Sequence, residues 1–153
     1  MDGSGDRCLR KAAHWLLWWK VDPEEVRRQA VGYDTLRSVF SARRLGFLLA
    51  VAAAGEAAYF AVLTFSPGTA SLFPVACFQA GVALSLAALG GFMLRGSRVA
   101  TVGLMAVYTI QTVFAAAWAS DASFLLVSLA GWTVSMHVFY TALCVERSRK
   151  GGA

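Results

Sequence analysis

The chain has 153 residues, of which 58% are hydrophobic and only 15% charged, and a formal net charge of +5. Ordinary globular chains carry about 25% charged residues, and here the charges gather in the first 44 residues, one short loop and the tail. This speaks against a soluble domain and gives the expected fold class: an all-α integral membrane protein, a four-transmembrane-helix antiparallel bundle preceded by two amphipathic cytoplasmic or interfacial helices.

The first 44 residues read as a cytoplasmic helical segment. In "RCLRKAAHWLLWWK", Arg7, Arg10, Lys11 and His14 share one helical face, and Leu9, Ala12, Ala13, Leu16 and Trp19 lie mostly opposite, with Trp15 and Trp18 on the flanks. A cationic face, an apolar face and three tryptophans fit a helix lying in the lipid headgroup layer. The apolar run is too short for a signal-peptide core, and no small-residue cleavage site follows it. The second helix is announced by Asp22 as N-cap, Pro23 at the first helical position and Glu25 completing a capping box. Val26, Ala30, Tyr33, Leu36 and Phe40 repeat at helical spacing and form one apolar stripe. Arg43 and Arg44 mark the membrane interface, and since neither Pro nor Gly stands immediately before Leu45, this helix is free to run on into the first span.

Four apolar blocks follow, at about 45–65, 73–94, 99–118 and 123–145. Each has the length of about 20 residues that a helix needs to cross hydrocarbon, and no alternating strand pattern is present. Residues 146–153 form a basic tail. All fourteen Lys and Arg residues fall in the N-terminal segment, in the loop between the second and third blocks (Arg95, Arg98) and in the tail (Arg147, Arg149, Lys150). The other two loops hold none. By the positive-inside rule both termini are cytoplasmic. Eleven Arg against three Lys, with abundant Ala and Gly, fits a GC-rich bacterial genome, hence an inner membrane.

The chemistry-bearing residues lie inside the blocks. Helical rise places Glu56 about 18 Å, Gln79 about 24 Å, Gln111 about 20 Å and His137 about 14 Å from the cytoplasmic boundary. An unpaired polar group in hydrocarbon is costly, so these four are expected to face one another along a shared axis. Tyr59 and Tyr108 stand one turn from Glu56 and Gln111, and Thr133 shares a face with His137, so all seven form the candidate polar cluster. Small faces are expected to let the helices approach: Gly46, Ala50, Ala54 and Ala58 on the first block, Gly81, Ser85 and Ala88 on the second, Gly103 and Ala115 on the third. The interfacial set is Arg7, Arg10, Lys11, Trp15, Trp18, Trp19, Arg43 and Arg44.

No hydrolase, P-loop or metalloprotease motif occurs. Two histidines, His14 outside the blocks and His137 within, cannot provide a two-His haem site in one copy. Cys8, Cys77 and Cys144 form no C-x-x-C pair. The expectation is therefore no enzyme, no cofactor, no metal and no nucleic acid. The partners are the bilayer and either another protein or a second copy.

Glu56 in "AAAGEAAYF" is similar in placement to the essential Glu in the first span of small multidrug-resistance transporters, which also have four short spans. The similarity covers that residue and the helix count. The 44-residue prelude is foreign to that family, and its third-span Trp–Gly signature has no counterpart here. What the similarity implies is a small proton-coupled transporter or channel with Glu56 as the titrating site. The residues themselves favour a non-enzymatic accessory or interaction subunit that uses its cytoplasmic helices and a helix face.

Overall fold

A computed structural model describes residues 19–31, 41–65, 73–117 and 121–151, residues 150 and 151 as backbone only, and every regular element among them is helical. In chain order these are α1 (Pro23–Val31), α2 (Ala42–Thr64), α3 (Phe73–Leu94), α4 (Arg98–Ala117) and α5 (Ala122–Gly151). The last four are each long and apolar enough to cross a membrane. Their ends fall within a few residues of the sequence boundaries, except that α5 continues through the basic tail. The expected helix over residues 7–20 lies outside the described residues up to Trp18, and Trp19 is an exposed turn residue.

Neighbouring helices run antiparallel, as single contacts show. Gly46 of α2 lies against Met93 at the far end of α3, and Gly90 of α3 against Ala50 of α2. Phe78 of α3 meets Phe114 of α4 with ring centroids 5.0 Å apart. Trp132 Nε1 of α5 donates to Thr109 Oγ1 of α4 at 3.0 Å. A Trp N–H withdrawn from water needs such an acceptor.

The α2–α3 contact is the closest, and it is built from small side chains. Gly46, Ala50, Ala53, Ala54, Ala57 and Ala61 are the buried face of α2, and Ala76, Ala83 and Gly90 are buried on α3. The core adds Leu86, Met93, Leu104, Met136 and Phe139, all essentially inaccessible. The small face expected at Gly81, Ser85 and Ala88 is instead exposed. The sequence offered two small faces on this helix, and the one carrying Ala76, Ala83 and Gly90 also carries the bulkier Leu86 and Met93 that fill the centre.

The ends are set by local chemistry. α3 closes with Gly96 at φ 78°, its N–H bonding the Met93 carbonyl at 2.9 Å while the Ser97 N–H reaches Phe92 at 3.2 Å. This is a Schellman cap, whose left-handed residue favours glycine. Ser97 then starts α4 by accepting from the Ala100 N–H through Oγ at 3.3 Å. At the other end Asp121 caps α5, taking the Ser123 N–H at 3.3 Å and the Ser123 hydroxyl. The Ser123 hydroxyl bond holds the exposed Asp121 carboxyl below the usual carboxylate range.

α1 begins as the sequence reads: the Glu24 N–H bonds Asp22 Oδ1 at 2.9 Å. Glu25 does not close the capping box. It turns along the helix to Arg28 and accepts from Gln29 Nε2 at 2.7 Å. Gln29 Oε1 in turn accepts the Ala42 N–H at 3.3 Å and so caps α2 from outside. Continuity into the first span therefore fails at Ser41, whose extended backbone (φ −63°, ψ 135°) starts α2 afresh at Ala42. Val26 is the buried residue of the α1 stripe, Ala30 is half-buried, and Tyr33, Leu36 and Phe40 lie outside the described residues.

α5 packs unevenly. From residue 122 to 134 none is buried, whereas Ser135, Met136, Val138, Phe139, Thr141, Ala142, Leu143, Val145 and Glu146 all are. The bundle is tight at the end where α1 sits against α5 and looser at the other. Arg98 helps tie the tight end together: its Nη2 donates to the Glu146 carbonyl at 2.8 Å and to the Arg147 carbonyl at 3.3 Å. Hydrogen bonds from charged donors contribute about 1.5–3 kcal/mol. Arg98→Ala is therefore expected to fray α5 from Thr141 onward, seen as faster amide exchange across 141–149 with no change in α2 or α3. Unchanged exchange there would remove Arg98 as the tie.

Candidate functional site

The seven residues of the expected polar cluster divide between the inside and the outside of the bundle. Gln79 and Gln111 are inside, 5% and 8% exposed. Gln79 lies six residues into α3 and Gln111 six residues before the end of α4, so antiparallel packing sets them at one level. The nearby Phe78–Phe114 contact fixes that register. The amide oxygen of each is buried and has no hydrogen-bond partner.

His137 and Tyr108 are half-buried, nearer the tight end. The Tyr108 ring stands edge-on to Phe139 at 5.9 Å. Thr133 is half-buried and returns its hydroxyl to the Leu129 carbonyl of its own helix at 2.8 Å. Thr141 does likewise to the His137 carbonyl at 2.8 Å. Such back-bonding satisfies a hydroxyl without calling on another helix, so these threonines do not bridge the cluster.

Glu56 and Tyr59 do not join the others. Both are exposed on the outer surface of α2, Tyr59 to 62%. Glu56 makes no hydrogen bond or ion pair with any described residue. The reason lies in the helical wheel. The inward face of α2 is the Gly46–Ala50–Ala53–Ala54–Ala57–Ala61 stripe, which α3 approaches too closely for anything larger. A Cβ on Gly90 would come within 2.9 Å of the Ala50 Cβ, so no long side chain fits beside it. The expectation of four polar groups on one axis treated each helix as free to rotate. The alanine stripe removes that freedom and leaves Glu56 to one side.

Glu56 also has company on its own face. Leu45, Leu49, Ala52, Glu56, Tyr59 and Leu63 follow one another at alternating steps of four and three. All are exposed except Leu49, which is half-buried. The sequence carries this heptad seam beside a competing small-residue stripe on the same helix.

Of the interfacial set, Arg43 and Arg44 are half-buried in the first turn of α2. Trp19 is 51% exposed. Arg7, Arg10, Lys11, Trp15 and Trp18 lie outside the described residues. Cys77 is exposed and Cys144 half-buried, both as free thiols. Among the described residues no three His, Cys, Asp or Glu side chains gather as a metal site would require.

The fold and site thus define a helical chain with four membrane-length helices and a single outward acid on the first of them. Comparison with protein-family models, with curated proteins and with solved structures yields no match.

Proposed function

We propose that the chain is a multi-pass protein of the bacterial inner membrane, with its N- and C-terminal segments cytoplasmic, acting as a non-enzymatic accessory or interaction subunit. The carrying observation is the outward position of Glu56 near the middle of a membrane-length helix. An acid at the centre of a spanning helix costs at least about 2.5–3.5 kcal/mol when lipid is its only neighbour. A protein surface that covers α2 and supplies a hydrogen-bond donor relieves that cost. Glu56 is then a contact residue, and the outer face of α2 is the working surface. The orientation is supported by the arginines: Arg43, Arg44, Arg95, Arg98, Arg147 and Arg149 all cluster at the end where α2 and α4 start and α3 and α5 finish.

The competing transport reading needs Glu56 to line a polar passage. Within one chain no such passage reaches it, since the inward face of α2 is alanine and glycine and Glu56 is not on it, so transport would require a passage between two copies. Proteoliposomes holding the native protein are therefore expected to show no proton-gradient-driven flux of cationic dyes above empty vesicles, with Glu56→Gln identical. Flux in the native protein that Glu56→Gln abolishes would overturn the interaction reading. The direct test is co-purification in mild detergent. Glu56 and its face should be shielded by protein in native membranes, and Glu56→Ala should release whatever shields them.

A further inference from the structure

The exposed face of α2 has a period, and the period identifies what fits it. Leu45, Leu49, Ala52, Glu56, Tyr59 and Leu63 repeat every 3.5 residues, the spacing at which one helix winds left-handedly around another, with Leu49 alone also packed against the chain's own core. Glu56 occupies one of the core positions of that repeat, with Leu49 and Leu63 a heptad to either side. Leu48, Gly55 and Val62, which flank the seam on one side, are exposed as well. The cations keep off it, since Arg43 and Arg44 fall at positions turned away from the core line.

We propose that this seam pairs in parallel with the same seam of a second copy of the chain, carboxyl of Glu56 against carboxyl of Glu56, with the Tyr59 hydroxyl of each copy as donor in the adjoining layer. The inference rests on the interaction reading above and names its partner. Two features select a second copy. The seam carries an acceptor and a donor one layer apart, so a copy of itself provides what each half lacks. Ala52 and Gly55 beside them have only small side chains, and nothing lies within 4 Å of where a Gly55 Cβ would stand, so a second backbone can come close. Two copies in one membrane share an orientation, which makes the contact parallel and two-fold about the membrane normal. A single polar core position is also the device that fixes register and strand number in such seams.

The test uses the full chain, purified alone and reconstituted in phosphatidylcholine vesicles, with Cys8, Cys77 and Cys144 replaced by serine. Single cysteines are placed on the seam (Ala52→Cys, Leu63→Cys) and off it (Val51→Cys, Ala58→Cys) and oxidised with copper phenanthroline. Doubled-mass adducts are expected at 52 and 63 about tenfold over 51 and 58. Glu56→Ala should cut the Ala52→Cys adduct by about the same factor, and Glu56→Gln should keep it, since an amide both donates and accepts. Energy transfer between terminally labelled copies carrying the native cysteines reports pairing independently of the serine background. Equal adducts at all four positions, or a monomer at every protein-to-lipid ratio, overturns the proposal. If the pure protein is monomeric but the seam cysteines are captured by a different polypeptide in native membranes, the second-copy inference fails and the interaction reading stands. If the seam reacts there as fast as Leu84→Cys, which is 73% exposed on α3, both fall.

Discussion

Gly90→Leu is expected to force α3 away from α2 and to lower the unfolding midpoint. A Cβ built on Gly90 stands 2.9 Å from the Ala50 Cβ and 3.5 Å from the Phe47 ring. The obstacle at Ala50 is a methyl fixed to the backbone and cannot swing aside. Overpacking of a close-packed site costs about 1–3 kcal/mol, and a leucine here adds three further carbons beyond that Cβ. Gly46 offers the contrast. Its nearest neighbour is the Met93 Cε at 2.6 Å, the free end of a flexible side chain. Gly46→Ala is therefore the milder change. Gly91, next to Gly90 in sequence, has nothing within 4 Å. Gly91→Ala should be neutral or stabilising by about 1 kcal/mol through helix propensity. Titration with a denaturing detergent, followed by helical circular dichroism, orders the three. A Gly90→Leu variant as stable as Gly91→Ala would mean that α2 and α3 do not meet through the alanine–glycine stripe.

That stripe also explains what the sequence disclosed and what it hid. Span positions follow from length, hydropathy and charge, all properties of single segments, and the boundaries at Phe73 and Leu94 coincide with the helix ends. The Asp22 cap was legible because its partner is two residues away. Which face of a helix turns inward is decided between helices. The second block shows two small faces in sequence, and the choice of Ala76, Ala83 and Gly90 over Gly81, Ser85 and Ala88 depends on matching Ala50 across the gap. Glu56 stands out in the sequence as the one acid of its block, but its direction depends on Ala53, Ala54 and Ala57 facing inward. The break at Ser41 was hidden for the same reason. It is stabilised by Gln29, thirteen residues earlier, and no local pattern announces it.

Gln79 and Gln111 lie inside the bundle, and they yield the second large effect. Gln79 and Gln111 each bury an amide oxygen that finds no partner. A buried polar group left without a hydrogen bond costs about 1–3 kcal/mol. Replacing it by an apolar group of similar shape removes that cost and keeps the packing. Gln79→Met and Gln111→Met are therefore each expected to raise the unfolding midpoint, and because the two lie at one level on adjoining helices, the double variant need not be the sum of the singles. The same substitutions should leave pairing through the α2 seam untouched, because Gln79 and Gln111 sit inside and the seam faces out. A fall in stability for both single variants would show that the amides are satisfied in the membrane by something the chain itself does not provide. A loss of pairing with stability intact would show that the inner glutamines and the outer Glu56 belong to one functional unit, against the division of the bundle into a sealed interior and a working exterior.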